Sequence, residues 1–462
     1  MTFTAPETES IAAQVEAFRR GRRDLDAAFA EIEDRIARHV DLNPIAWLDA
    51  DRVRERIRML NESASGDRSP GPSTPLSGRR LAGVFVSVKD LFAVPGAPLA
   101  AGTRAALPEV GAESTVVRRL VEAGAIVFAK TQMHEIALGA TGENTWTGDV
   151  CNPYDPTRQA GGSSSGAAVA VACGIGAAGI GSDTGGSVRI PAAFCGVVGF
   201  KPTFGAIPLG GALPLSWTCD HAGPLARTVA DATLLYEVLS ARSAAHGTVA
   251  RRPRFAVPQT WLRGRLEPAV RDAFERRLAA LAKVATVVDV DLPELALAWT
   301  CYTPIVRAEA AYIHRAALAA GGRGFSDSVL APLRAGGVVT SGEYFEAMNG
   351  RRRMIEALDR SLGNVDAWLL PTSAAQPPVR GQTEVRTEDG TMSVREAVLG
   401  QTLPFSFAGV PALSVPAGFI DGLPWGLQAV GRRDGDAGLL ALGRWLEGQW
   451  TGRALTPPGQ RG

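Results

Sequence analysis

Two serines and a lysine of this 462-residue chain stand where nucleophilic chemistry could be built. Ser163 lies in Gly161-Gly162-Ser163-Ser164, Ser187 closes Asp183-Thr184-Gly185-Gly186-Ser187, and Lys89 ends the apolar run from Leu81. A serine hydroxyl needs a base to become a nucleophile, and a lysine whose ammonium is disfavoured by burial can be that base where histidine is absent. Gly185 and Gly186 remove two side chains where backbone N–H groups would have to face a developing oxyanion. The same residues have plainer uses, since Gly-Ser turns are common loops and a strand-end lysine usually carries its ammonium to water.

The block Gly161 to Gly196 fits two further patterns. Gly162-Ser-Ser-Ser-Gly166 satisfies G-x-S-x-G, a strand-to-helix turn that would make Ser164 the nucleophile of an α/β-hydrolase-type esterase. That chemistry needs a downstream base, with His221, His246 and His314 available and Asp220-His221 a charge-competent pair. Gly174-Ile-Gly-Ala-Ala-Gly179 fits the dinucleotide pattern G-x-G-x-x-G, but it follows an alanine-rich run instead of a strand and lacks the ribose-binding acid about 20 residues on.

The elements that must position these groups read as α/β. Hydrophobic residues are 46% and charged residues 21%, which excludes a disordered chain. The 48 basic and 47 acidic residues leave a net charge of +1, so no global field exists to hold nucleic acid or an anionic membrane. The 52 glycines, 30 prolines and 6% aromatics suit an enzyme core of small aliphatics with many turns. Ile11, Val15, Phe18, Leu25, Phe29, Ile32 and Ile36 recur at helical spacing, Asn61 to Gly78 reads as a surface connection, and LAGVFVSVKD and GAIVFAK flank a helical stretch as β-α-β. After Asp231 the chain reads as helical to about Leu362. Strands then return at VDAWLLPTS and GVPALSVPAGF, and a helix spans Ala437 to Trp450.

These textures divide a single domain, 1–462, into N-terminal helices and linker (1–78), a core (79–240), a helical, substrate-side segment (241–364) and returning strands with a C-terminal helix (365–462). The five cysteines lack C-x-x-C spacing and the five histidines lack ligand spacing, so neither a metal nor another cofactor is expected. The polar start MTFTAPETES does not read as a secretory signal, and the small-apolar run Ala167 to Gly181 is too short to span a bilayer. A cytoplasmic protein without membrane or nucleic-acid partners is expected.

Several segments together resemble the amidase signature family: VSVKD (86–90), KTQMHEIALGATGEN (130–144), NPYDPTRQAGGSSSG (152–166), GSDTGGSVRIPAAFCGVVGFKPT (181–203), GPLARTVAD (223–231), LLPT (369–372) and GLPWGLQAVG (422–431). The resemblance implies a single large mixed β-sheet covered by helices on both faces. It also implies a Ser-cisSer-Lys triad. Ser187 would be the nucleophile, Ser163 the bridging serine behind a cis Gly162–Ser163 bond, and Lys89 the base. Backbone amides of Thr184, Gly185, Gly186 and Ser187 would form the oxyanion hole. Asp183 and Arg189 are expected to pair and fix the turn, Ser164 and Ser165 to support the network or cap a helix, and His134 to be structural.

Family members cleave C–N bonds of amides, ureas and carbamates. The best match is a hydrolase of small, neutral, aromatic amides or carbamates, of the amidase, aryl acylamidase or urethanase type, acting as monomer or homodimer. Trp146, Trp217 and Phe405 are candidate aromatic walls. The alternative within the family is the A subunit of a glutamine-dependent tRNA amidotransferase. Arg307 to Ser328 lacks the Y-D-G-x-R-Y-G stretch expected there, and no carboxylate-binding arginine can be chosen among Arg307, Arg323 and Arg334.

Overall fold

A computed structural model describes residues 9–64, 79–244, 249 and 252–450. Thirteen strands are present: β1 (Ile45–Leu48), β2 (Phe85–Lys89), β3 (Ile126–Thr131), β4 (Ala178–Asp183), β5 (Val198–Lys201), β6 (His221–Ala226), β7 (Arg254–Val257), β8 (Thr286–Asp289), β9 (Ala367–Pro371), β10 (Glu384–Thr387), β11 (Gly390–Ser393), β12 (Ala412–Ile420) and β13 (Leu423–Val430). Eleven form one sheet in the order β1-β3-β2-β4-β6-β5-β12-β13-β9-β7-β8, while β10 and β11 make a separate hairpin. The sheet is mixed. β2 runs parallel to β3 and β4, and β7 parallel to β8 and β9, with antiparallel pairs joining the two groups.

Every residue of β2, β4, β5, β6, β9 and β13 is buried, the signature of a sheet covered on both faces. Alternation along β2 divides the two cores: Phe85 packs with one cluster, Val86 and Val88 with the other. The first cluster receives the N-terminal helices α1 (Ile11–Arg19), α2 (Leu25–Arg38) and α3 (Ala50–Ala64) together with α5 (Ser165–Ala172). Phe29 of α2 stacks on Phe85 with centroids 6.0 Å apart. Of the seven apolar positions that marked these helices, six are buried and Ile36 is half-buried. On the opposite face lie α4 (Thr115–Glu122) and α7 (Val229–Ser240).

Connectivity places the chemistry-bearing segments together. Because β2 and β4 are parallel, Lys89 and Asp183 end neighbouring strands on one edge of the sheet. α5 precedes β4 and packs back along it, so the serines at its start lie over the end of β4. This approach is very close. A Cβ on Gly179 would stand 3.0 Å from the Ala167 Cβ, and one on Gly166 would stand 2.3 Å from the Pro44 carbonyl oxygen. Small residues along Gly161 to Gly181 are therefore a packing requirement. The short helix α6 (Arg189–Cys195) continues from the Asp183–Ser187 turn.

The sequence-based expectations differ from the fold in three places. β1 interrupts the N-terminal helices, α3 runs on to Ala64 inside the stretch read as a connection, and β7 and β8 lie in the stretch read as helical. β1, β7 and β8 have only four residues each, too short for a period-2 signal to outweigh the helical texture around them. Residues 65–78 of the expected connection and His246 lie outside the described residues. No helix among the described residues is long and apolar enough to cross a membrane.

Gly166→Ala is expected to destabilise the protein by about 1–3 kcal/mol through overpacking. Gly438→Ala, on an exposed turn of the helix Asp436–Gly448 with nothing within 4 Å of the added methyl, is expected to be neutral or stabilising by up to about 1 kcal/mol. Urea unfolding of both variants measures the contrast.

Candidate active site

Lys89 is fully buried at the end of β2. Its Nζ donates to Ser163 Oγ at 2.7 Å and to Ser182 Oγ at 2.8 Å. Burial pushes its pKa down to about 7, although the Asp220 and Asp183 carboxylates pull the other way. The Gly162–Ser163 peptide is cis, and the Ser163 carbonyl accepts the His134 N–H at 3.2 Å.

Ser164 occupies the N-cap position of α5, yet its hydroxyl caps nothing there. It donates to the Ser182 carbonyl at 3.1 Å and accepts the Ser182 N–H at 3.2 Å, tying the turn to β4. Its own N–H donates to the Ser187 carbonyl at 3.2 Å, which brings the second serine turn against the first. Ser165 Oγ is buried without a hydrogen-bond partner among the described residues, so the expected side-chain cap is absent. Among the described residues no hydrogen bond joins the Ser163 and Ser187 hydroxyls; the two turns meet through backbone.

Asp183 and Arg189 form a fully buried, bidentate pair, Nε to Oδ2 at 3.0 Å and Nη2 to Oδ1 at 2.9 Å. Burial is the largest single influence on the Asp183 carboxyl and pushes it up, but the Arg189 charge and hydrogen bonds, helped by Lys201 and His221, together hold it well below the usual range. Val188 N–H adds a bond to Oδ2 at 3.2 Å, and Ser406 Oγ donates to Oδ1 at 2.7 Å. Arg189 also reaches the Thr402 carbonyl at 3.1 Å and Gln428 Oε1 at 2.5 Å. Within the turn so held, the N–H groups of Gly185, Gly186 and Ser187 find no acceptor among the described residues. Backbone donors left open in a buried turn are ready to receive a ligand oxygen.

A cavity of about 310 Å³ opens beside these groups. Ser182 and Asp220 supply its polar wall, while Leu91, Ile207, Phe204 and Trp217 contribute to an otherwise apolar lining. Asp220 accepts Thr184 Oγ1 at 2.6 Å and the N–H groups of Leu215 and Ser216 at 2.8 and 2.9 Å. Burial nevertheless pushes its carboxyl up to about 6.

Of the expected aromatic walls, Trp217 alone lines this cavity. Trp146 donates Nε1 to Glu135 at 3.0 Å, and Phe405 packs on Trp368 in the core. The Ser164 esterase geometry is not formed, because Ser164 is engaged with Ser182 and no described histidine reaches it. His221 Nδ1 instead meets the Asp183 carbonyl at 3.0 Å, and His314 lies beside Phe325. His134 Nδ1 meets Thr141 Oγ1 at 3.3 Å, and burial, then the Lys89 charge, pushes its pKa down to about 4. Gly174 to Gly179 connects a helix to a strand, the reverse of a dinucleotide loop.

Sequence reasoning missed Ser182, Asp220, Thr402, Ser406 and Gln428. Ser182 adjoins Asp183 and was within reach of strand periodicity. Thr402, Ser406 and Gln428 come from beyond residue 400 and approach Arg189 only through the sheet order.

The Lys89 environment sets a stability slope. An unfolded lysine titrates near ~10.4, above the folded value of about 7. Between these values the unfolded state holds the extra proton, so stability rises with pH over that window, by at most about 1.4 kcal/mol per unit. Lys89→Met is expected to flatten this rise in urea unfolding measured from pH 7 to 10; an unchanged slope would show that Lys89 stays charged in the fold.

A model of the amidase family matches residues 34–440. The chain is 33% identical over 435 residues to the glutaminase-side A chain of glutamyl-tRNA(Gln) amidotransferase from Symbiobacterium thermophilum, covering 85% of this chain and 86% of that one. A solved amidase structure superposes with a TM-score of 0.91 at 47% identity, covering 96% of this chain and all of the other. A bacterial aryl acylamidase of the amidase signature enzymes superposes with a TM-score of 0.84 at 25% identity, covering 96% and 97%. With this match spanning the sheet and both serine turns, the chain belongs to the amidase signature family, whose enzymes hydrolyse C–N bonds.

Proposed function

We propose that this chain hydrolyses small, neutral, aromatic amides or carbamates through a serine acyl-enzyme, with Ser187, Ser163 and Lys89 as the reacting groups. The carrying observation is Lys89, buried with its Nζ on the Ser163 hydroxyl and its pKa near the operating range of a general base. Rotation of the Ser187 hydroxyl onto Ser163 completes a relay. Neutral Lys89 takes the Ser163 proton, Ser163 takes that of Ser187, and Ser187 Oγ bonds to the substrate carbonyl carbon. The N–H groups from Gly185 to Ser187 receive the resulting oxyanion. Collapse breaks the C–N bond, the proton passes back along the relay to the leaving nitrogen, and water then releases the acid by the same steps.

The apolar cavity with Phe204 and Trp217 in its wall supports an aromatic or aliphatic substrate portion. The amidotransferase relatives favour a second reading, in which the same groups free ammonia from glutamine for a partner. That substrate carries an α-ammonium and an α-carboxylate. None of Arg307, Arg323 and Arg334 lines the cavity, and Asp220 is its one charged wall residue. The cavity therefore suits a neutral substrate better.

On a nitroanilide, Ser187→Ala is expected to lower kcat by about 10⁴-fold or more, whereas Ser164→Ala retains turnover if it folds. The wild-type kcat/KM should rise through a pKa of about 7 as Lys89 loses its proton. Ammonia release from glutamine with inert nitroanilide and aryl carbamate would transfer the assignment to the amidotransferase reading. Trp217→Ala is expected to raise KM for aryl substrates by about tenfold, the scale of one aromatic contact, with little change for acetamide. A steady-state comparison of the two substrate types checks this.

A further inference from the structure

The turn that carries Ser187 has a weak point. The Gly185–Gly186 peptide lies between two glycines, and rotation about their flanking bonds meets no Cβ. Such a unit can exchange the directions of its C=O and N–H at little steric cost. One orientation offers an N–H donor to an oxyanion; the other offers a carbonyl oxygen, which would repel it.

Thr402 faces this peptide. Its side chain is buried in the link between the helices Val394–Leu399 and Leu403–Ala408. Its Oγ1 donates to the Gly185 carbonyl at 2.7 Å. The Leu399 carbonyl lies 3.2 Å from the same oxygen, and a hydroxyl has one proton; the Gly185 contact is at the optimum for O–H···O. The approach is built in from both sides. Gly186 has φ of +140°, and a Cβ there would fall 2.1 Å from Thr402 Oγ1. The Thr402 carbonyl in turn accepts Arg189 Nη1, so the hydroxyl is mounted on the guanidinium that holds Asp183 at the base of the turn.

In a trans peptide the C=O and N–H point in opposite directions. The one cis bond among the described residues is Gly162–Ser163, so the Gly185–Gly186 unit is trans. With the Gly185 carbonyl held toward Thr402, the Gly186 N–H points away from it, and it finds no acceptor among the described residues. We propose that Thr402 is a positioning residue: by fixing the Gly185 carbonyl, its hydroxyl keeps the Gly186 N–H aimed at the substrate oxygen as that oxygen gathers charge. This inference rests on the acyl-enzyme reading above. Thr402 touches no reacting atom; it acts through the peptide plane.

The test compares Thr402→Val, which keeps the branched shape and loses the donor, with Thr402→Ser, which keeps the donor. On a nitroanilide, Thr402→Val is expected to lower kcat by about 10- to 100-fold, below the loss for deleting an oxyanion donor outright, with KM changed less than twofold. The inhibition constant of an aryl trifluoromethyl ketone, which forms a tetrahedral adduct with the serine, should rise by the same factor. Thr402→Ser should retain most of the wild-type kcat and ketone affinity. A merely structural role would lower the unfolding midpoint without this matched pair of losses.

Unchanged kcat and ketone affinity in folded Thr402→Val would overturn the inference, as would equal impairment of the Ser and Val variants. Should Thr402→Val not fold, Thr402→Ala is read against Thr402→Ser by the same criteria. Ser187→Ala separates the two levels: retained turnover there refutes the acyl-enzyme reading itself, whereas its loss alongside an indifferent Thr402→Val refutes this inference alone.

Discussion

The buried ion pair between Asp183 and Arg189 is the contact on which the rest of the site depends. Both side chains are withdrawn from solvent, and removing two charges from water costs several kcal/mol each unless every lone pair and N–H is matched. Here they are matched closely. Asp183 receives the Arg189 fork, the Val188 N–H and the Ser406 hydroxyl, and the remaining guanidinium donor reaches Thr402 and Gln428. One pair thus joins the end of β4, the start of α6, the link before residue 403 and the middle of β13. Removing either partner would leave an uncompensated buried charge, so the turn between them is fixed by the cost of opening it.

The state of Lys89 follows from that arrangement. A lysine buried beside a free carboxylate would keep its proton as an ion pair, since opposite charge within a few ångströms favours the charged form. Asp183 is committed to Arg189. Asp220 is committed to three donors and is itself pushed toward neutrality. Lys89 is left with two serine hydroxyls, which solvate an ammonium far less well than water or a carboxylate. Lys130, on the neighbouring strand β3, shows the contrast, because its Nζ meets Asp90 at 2.6 Å.

The strand-helix-strand start, the N-terminal helical stripe and the returning strands were legible because each carries a sustained period or a β-branched run. The triad candidates were legible through the glycine turns around Ser163 and Ser187 and through Lys89 at a strand end. Edge strands such as β7 and β8 were not, since four residues carry too little pattern. Nor were Thr402, Ser406 and Gln428, whose types are ordinary and whose use is created by β12 and β13 lying beside β5. The aromatic candidates divide for a related reason. Composition offers Trp146, Trp217 and Phe405 equally, and only tertiary packing decides that Phe405 belongs to the core and Trp217 to the cavity.

Chemistry and selectivity are mounted on different parts of the fold. The reacting groups stand at strand ends in the sheet, whereas the cavity wall comes largely from the loop between β5 and β6. That loop is not loosely held. Asp220 takes the N–H groups of Leu215 and Ser216, Glu309 takes the Ser216 hydroxyl at 2.6 Å and the Thr218 N–H at 3.2 Å, and Arg351 holds the Thr218 carbonyl at 2.6 Å. Trp217 is therefore 53% exposed while both its neighbours are pinned. Its ring meets Tyr312 edge-on at 5.9 Å, on the helix that also supplies Glu309. An exposed tryptophan costs apolar surface in water, and buried carboxylates are costly mounts. Both costs are offset where the ring has a ligand to cover. Substitutions in this loop can thus alter what the cavity accepts while the Asp183–Arg189 frame keeps the serines and Lys89 in register.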